Sequence, residues 1–209
     1  MKRTLMIFGL MIFVLMPLVV HAQQQQSPSL STSQPTGKVA EIEVYSKEID
    51  AYVKSNEGSA RIFAADDSSA ASNTGEVHWR TFKSEQELQA ADPSNNLNSS
   101  AYVWLRDGKV VGASFTLQSA SRDWVQYVMY YFRRDGTVAK ISSTLNTFRG
   151  SITVKREDYY NSKGTFLKGT THCNDLKTQQ AKPCGNYEEM PAPLYQKVSL
   201  LPFYNLLKQ

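Results

Sequence analysis

Chemistry in a protein chain needs nucleophiles, proton carriers or metal ligands at spacings that fold within reach of one another. This sequence is sparing with them. Beyond residue 22 it holds two histidines, His78 and His172. No His-x-x-x-His or paired-cysteine ligand spacing accompanies them, so no metal site is expected. Gly-x-Ser-x-Gly, glycine-rich phosphate loops and Ser-x-x-Lys are absent at meaningful positions, and no cofactor is implied. The carboxylates Glu157 and Asp158 are neighbours in strand-like sequence, where successive side chains point to opposite faces. They do not make an acid/base pair by themselves. Any site here must be assembled from distant residues, and Arg133, Lys140 and Glu157 are the charged groups that one strand face gathers.

The two cysteines, Cys173 and Cys184, are the remaining reactive side chains. A redox-active pair usually shows a Cys-x-x-Cys spacing near a helix start. Ten residues separate these two, which favours a structural disulfide closing a small loop, worth roughly 2 to 3 kcal/mol in the chain-entropy account. That reading suits an exported chain. Lys2 and Arg3 precede an apolar run from Leu5 to Val20, followed by Val20-His21-Ala22, the layout of a secretory signal peptide cleaved after Ala22. The run has 16 residues and includes Gly9 and Pro17, against the roughly 20 apolar residues of a spanning helix. A periplasmic or secreted protein is expected, with no membrane span after cleavage.

Removal of residues 1–22 takes away two basic residues and no acidic ones, so the formal charge falls from +4 to +2 for the chain that remains. That balance does not suit an electrostatic nucleic-acid binder. Residues 23–37 carry no charge and almost no large apolar side chain, and are expected to be a disordered leader. A single domain is expected over 38–209, long enough to bury one core.

The elements that must position any site follow from period and turn signals. From Lys38 to Ser55, Ile42, Tyr45, Ile49, Tyr52 and Val53 recur at three and four residues and predict a helix with an apolar stripe. Its charged residues, among them Glu43 and Asp50, read as a solvated outer face, and Gly58 as its stop. Residues 61–65 and 77–82 predict short strands, with a polar loop over 66–76 between them. Ser84 and Glu87 form a capping box for a short helix ending at Asp92-Pro93.

The rest of the chain is organised by three glycine turns, Asp107-Gly108, Asp135-Gly136 and Lys163-Gly164, which follow one another at a constant step. Asp-Gly between alternating apolar residues is a strong hairpin signal, so three consecutive hairpins, a β-meander, are expected. Pairing outward from two-residue turns sets Trp104 opposite Val111, Tyr102 opposite Ala113 and Phe132 opposite Ala139. One face then collects Tyr102, Trp104, Val111, Ala113, Phe115, Val128, Tyr130, Phe132, Ala139, Ile141 and Leu145 as core, with Cys173 on the same side. The other collects Val110, Tyr127, Met129, Tyr131, Arg133, Val138, Lys140, Glu157 and Tyr159. After Pro193, Leu194, Val198 and Leu201 recur at helical spacing until Pro202 interrupts before Phe203, Leu206 and Leu207, so two short apolar helical turns are expected to cap an open end of the sheet.

The expected architecture is α+β: an N-terminal helix packed on a twisted antiparallel β-meander of about six or seven strands, open or partly barrel-like. The expected function is a non-enzymatic binding or interaction protein. Its ligand-binding face would comprise Tyr127, Tyr131, Arg133, Lys140 and Tyr159, because tyrosine and arginine are enriched where surfaces bind. Its partner would be a protein or small molecule, not nucleic acid. The alternatives are a hydrolase-like enzyme with a site between sheet and helices, and a carrier of a lipid-like ligand. A flat face favours binding, a cleft of converging acids and bases with shifted pKa values favours the enzyme, and an enclosed apolar cavity favours the carrier.

Overall fold

The computed structural model describes residues 37–66, 77–95, 97–119, 121–187 and 192–209 and, of residues 66 and 92–95, the backbone alone. The expected signal segment 1–22, the leader as far as residue 36 and the loop over 67–76 lie outside the described residues. Helix α1 spans Gly37–Ser55 and buries Val39, Ile42, Ser46 and Ile49, the face that its three- and four-residue spacing dictates. Two tyrosines beside that stripe bind it to the sheet, Tyr45 donating to the carbonyl of Phe132 and Tyr52 to that of Leu105. The Asn56 side chain satisfies the Tyr52 carbonyl at 2.8 Å as the helix ends.

Eight strands follow: β1 (Arg61–Asp66), β2 (His78–Phe82), β3 (Ser99–Arg106), β4 (Lys109–Gln118), β5 (Trp124–Phe132), β6 (Val138–Thr147), β7 (Ile152–Tyr160) and β8 (Phe166–Asp175). They form one antiparallel sheet in the order β2-β1-β3-β4-β5-β6-β7-β8. The sheet is open at β2 and β8 and is not a barrel. Its eight strands exceed the expected six or seven. Helix α2 (Glu85–Asn95) lies between β2 and β3. Ser84 Oγ accepts the Glu87 amide at 3.2 Å, and Glu87 accepts the Lys83 amide at 2.7 Å. The helix runs past Asp92-Pro93 rather than stopping there, since proline near a C-terminal end removes only one amide from the ladder.

The three glycine turns do close the three hairpins, but by two different geometries. At the first, Asp107 and Gly108 both have positive φ, 52° and 72°, the two-residue type I′ turn. At the second and third, Arg133 and Asn161 each accept the amide of the residue three positions on and donate to the carbonyl four positions on. Gly136 and Gly164 take φ of 81° and 79°, which makes three-residue turns. That one extra residue changes faces. Trp104 and Phe132 stand at equivalent positions before their turn glycines, yet Trp104 packs under α1 while Phe132 packs on the other side of the sheet.

Each return strand also carries a bulge, at Val111, Ala139 and Leu167, which fall between consecutive register pairs and repeat at the same step as the turn glycines. A bulge moves every later side chain to the other face. Trp104 therefore pairs with Gly112 rather than Val111 and Tyr102 with Ser114 rather than Ala113, whereas Phe132, on the turn side of its bulge, pairs with Val138 rather than Ala139 because the turn holds three residues. Tyr130–Ile141, Val128–Ser143 and Gln126–Leu145 pair as expected. As a result Tyr102, Trp104, Val111 and Ala139 join the α1 face, and Val110 and Val138 join the opposite one.

That opposite face holds the main core, Phe63, Val103, Ala113, Phe115, Val128, Tyr130, Phe132 and Ile141 with Leu201 and Phe203. The C-terminal segment covers it. Residues 196–198 hydrogen-bond along the second hairpin, Val138 amide to Gln196 carbonyl and Val198 amide to Gly136 carbonyl, both at 2.9 Å. Phe203 then stacks on Phe63 with ring centroids 4.3 Å apart. The two short helical turns expected on either side of Pro202 are 3₁₀ turns at Val198–Leu200 and Leu206–Lys208, and they lie over the core face of the sheet rather than at an open end.

Cys173 and Cys184 are bonded, with Cα atoms 5.2 Å apart. Cys173 is buried against Leu145, Ile152 and Val154, on the core side as its register requires. Replacing both cysteines by serine is expected to lower unfolding stability by about 2 to 3 kcal/mol, with the loss confined to the β8 end, as amide exchange at residues 173–184 will show.

Candidate functional site

Strands β5, β6 and β7 place Tyr131, Lys140 and Tyr159 side by side in one register row. Helix α1 crosses above that row. The Lys140 side chain, 6% exposed, reaches Glu157 Oε1 at 2.8 Å and Glu43 Oε1 at 3.1 Å. A hydroxyl has one proton, and that of Tyr159 sits between the carboxylates of Glu43 and Glu157, the latter at 2.8 Å. Tyr131 donates to Asp50 Oδ1 on α1 at 2.8 Å. Helix and sheet are therefore joined by an ammonium, three carboxylates and two phenols, each satisfying another.

Three groups of this network have shifted proton affinities. Burial raises the Glu157 carboxyl, but the hydrogen-bonded Lys140 ammonium and Tyr159 hydroxyl outweigh it and hold the group below the ordinary carboxylate range. Burial, reinforced by the carboxylates that accept their protons, holds the Tyr131 and Tyr159 phenols well above the ordinary value of 10.0. General acid–base catalysis needs a proton that can leave or arrive near the working pH. Here the phenols keep theirs, and Glu157 does not take one.

Both signs have consequences for stability. The Glu157 folded value lies below its unfolded value, so its contribution is complete above the ordinary carboxylate range and is lost as pH falls through the folded value. The phenols have raised folded values, so theirs is complete below about pH 10 and is lost as pH rises beyond it. Tyrosinate absorbance at Tyr131 and Tyr159 is expected to appear together with loss of the circular dichroism signal, and Glu157→Gln is expected to flatten the acid limb of the stability curve.

Beside α1, further along the strands, the same face is open. Thr116, Tyr127, Thr144, Lys155 and His172 pair in series across β4 to β8. Tyr127 is 49% exposed, Lys155 and His172 are exposed, and the two threonines are half-buried. The next row carries Asn146 and Thr153, whose hydroxyl donates to Asn146 Oδ1 at 2.9 Å. This strip is five strands wide and mixes one ring with hydroxyl, ammonium and imidazole groups.

The five residues expected to form one binding face thus part company. Tyr131, Lys140 and Tyr159 come together, but beneath α1 rather than toward solvent, because the helix lies on the face expected to be open. Tyr127 remains on the open strip. Arg133 turns to the hairpin tips, where its guanidinium donates to the carbonyls of Val138 and Tyr160 at 2.5 and 2.6 Å and ties two hairpins together. It also lines a cleft of about 370 Å³ beside Lys38, Glu41 and Tyr45. Glu43 and Asp50 were expected on the solvated side of the helix. Their signal was positional: each follows directly on a buried residue, Ile42 or Ile49, which puts it at the margin of the stripe.

Glu157 and Asp158 do face opposite ways, Glu157 toward Lys140 and Asp158 toward Arg156 at 2.9 Å. Among the described residues no three His, Cys, Asp or Glu side chains converge as a metal site would, and no helix is long and apolar enough to cross a membrane. Comparison with protein-family models, with curated proteins and with solved structures finds no match to this chain.

Proposed function

We propose that the protein is an exported, non-enzymatic binding module that holds a partner on the open strip of Thr116, Tyr127, Thr144, Lys155 and His172. The observation that carries this reading is the exposure of Tyr127 between Thr116 and Thr144 in a row of hydrogen-bonding side chains five strands wide. A ring flanked by hydroxyls offers an apolar face to stack on and polar groups to orient what stacks. The sheet beneath is held rigid by α1 through the Lys140 network, so a partner meets a surface that is already formed. Export is supported by the residue pattern of 1–22 and by the Cys173–Cys184 bond, since disulfides persist in oxidising compartments.

The raised Tyr131 and Tyr159 phenols and the lowered Glu157 carboxyl, none poised to exchange a proton near neutral pH, weigh against the hydrolase-like alternative at that place. The tight ring contacts of the main core, such as Phe63 on Phe203, weigh against a lipid lodged among the aromatic strands. The test is a pair of exposed substitutions, Tyr127→Ser with Lys155→Ala. Such changes alter stability by no more than about 0.5 kcal/mol. The affinity for whatever partner the wild-type chain retains from its own compartment is expected to fall by at least about tenfold. Equal retention by the double variant would sink the reading.

A further inference from the structure

A second surface lies at the other end of the sheet. The first and second hairpin tips and the C-terminal segment enclose an open groove of about 740 Å³, within the roughly 300 to 1,000 Å³ typical of small-molecule sites. Its floor is apolar: Leu105 and Val110 from the first hairpin, and Val198, Tyr204 and Leu207 from the C-terminal segment. Four cations rim it, Lys109, Arg134, Lys197 and Lys208, and all four are exposed.

One carboxylate, Asp135, also lines the groove. It is already occupied, accepting the Thr137 amide at 2.9 Å and hydroxyl at 2.6 Å within its own turn. Arg134 pairs with Asp107, an ion pair with 73% and 68% of the two side chains exposed, so exchanging that partner costs little. Among the described residues Lys109, Lys197 and Lys208 pair with no carboxylate; the Lys208 ammonium rests 4.4 Å from the centre of the Tyr204 ring, which leaves its charge open to an anion. The rim therefore carries unmatched positive charge around a greasy floor.

We propose that this groove binds a single-chain anionic amphiphile, a long-chain carboxylate, with its head group among Lys109, Lys197 and Lys208 and its chain along Val110, Val198 and Leu207. A bare anion would leave the floor wet, and a neutral chain would leave the cations unmatched. Charge complementarity with apolar burial selects the molecule that supplies both.

The probe is dodecanoate, titrated calorimetrically below its micelle concentration against the full chain. Saturable one-to-one binding is expected, with dodecyl maltoside and acetate at least about tenfold weaker. The triple variant Lys109→Gln, Lys197→Gln and Lys208→Gln, all exposed positions, is expected to keep its fold by circular dichroism and to bind dodecanoate about tenfold more weakly. Tyr127→Ser, on the separate sheet strip, is expected to bind it as wild type does. No saturable binding, equal binding of dodecyl maltoside, an unaffected triple variant, loss of binding in Tyr127→Ser, or binding only to phosphatidylglycerol vesicles would each overturn the proposal.

Discussion

Replacing Lys140 by methionine is expected to lower unfolding stability by about 3 kcal/mol, the low end for removing one member of a buried ion pair. The low end applies because the carboxylates left behind are only partly buried, Glu43 with 28% and Glu157 with 41% of the side chain exposed, and can take back some hydration. The loss arises from orphaned charge rather than lost packing, since methionine fills a similar volume. Adding Glu43→Gln to Lys140→Met should therefore recover part of the loss, although it removes another native contact. Urea unfolding of the two single variants and the double variant reads this as a positive coupling. Additive losses would mean that the cluster does not act as a unit.

Phe203→Ala is expected to cost about 4 kcal/mol, within the range for truncating a fully buried phenylalanine. Phe203 is 1% exposed. It stacks on Phe63 and sits 5.0 Å from the Trp79 ring and 5.5 Å from the Phe115 ring. Strands distant in sequence therefore share one contact with the C-terminal segment. Leu200→Ala, three residues earlier and 53% exposed, is the control and should change stability by no more than about 0.5 kcal/mol. If the two variants unfold at the same denaturant concentration, the C-terminal segment does not close the core. Release of that segment would also open the proposed groove, so the Phe203→Ala protein should bind dodecanoate less well even where it remains folded.

Local rules made much of the scaffold legible. The three- and four-residue stripe of α1, the glycine turns, the strand alternation that separates Glu157 from Asp158, and the core-side placement of Cys173 all depend on neighbours within a few positions. The open or closed state of the sheet was not legible, whereas the strands themselves were: three hairpins and the two short strands at 61–65 and 77–82 make eight, although six or seven were expected in the sheet. The candidate site was half legible. Alternation put Tyr127, Tyr131, Lys140 and Tyr159 on one face, and the structure keeps them there. Whether that face met water depended on where α1 landed.

What the residues by themselves determined is the repeat: glycine turns at Gly108, Gly136 and Gly164, evenly stepped along the chain, and with them a meander. What only the tertiary structure decided is which side of the sheet each ring occupies. A turn of two residues and a turn of three look alike as Asp-Gly in the sequence, yet side chains alternate with a period of two, so a single added residue exchanges inside for outside. That choice is made by long-range packing, α1 against Trp104, Tyr131 and Ala139 on one face and Phe203 against Phe63 and Phe115 on the other.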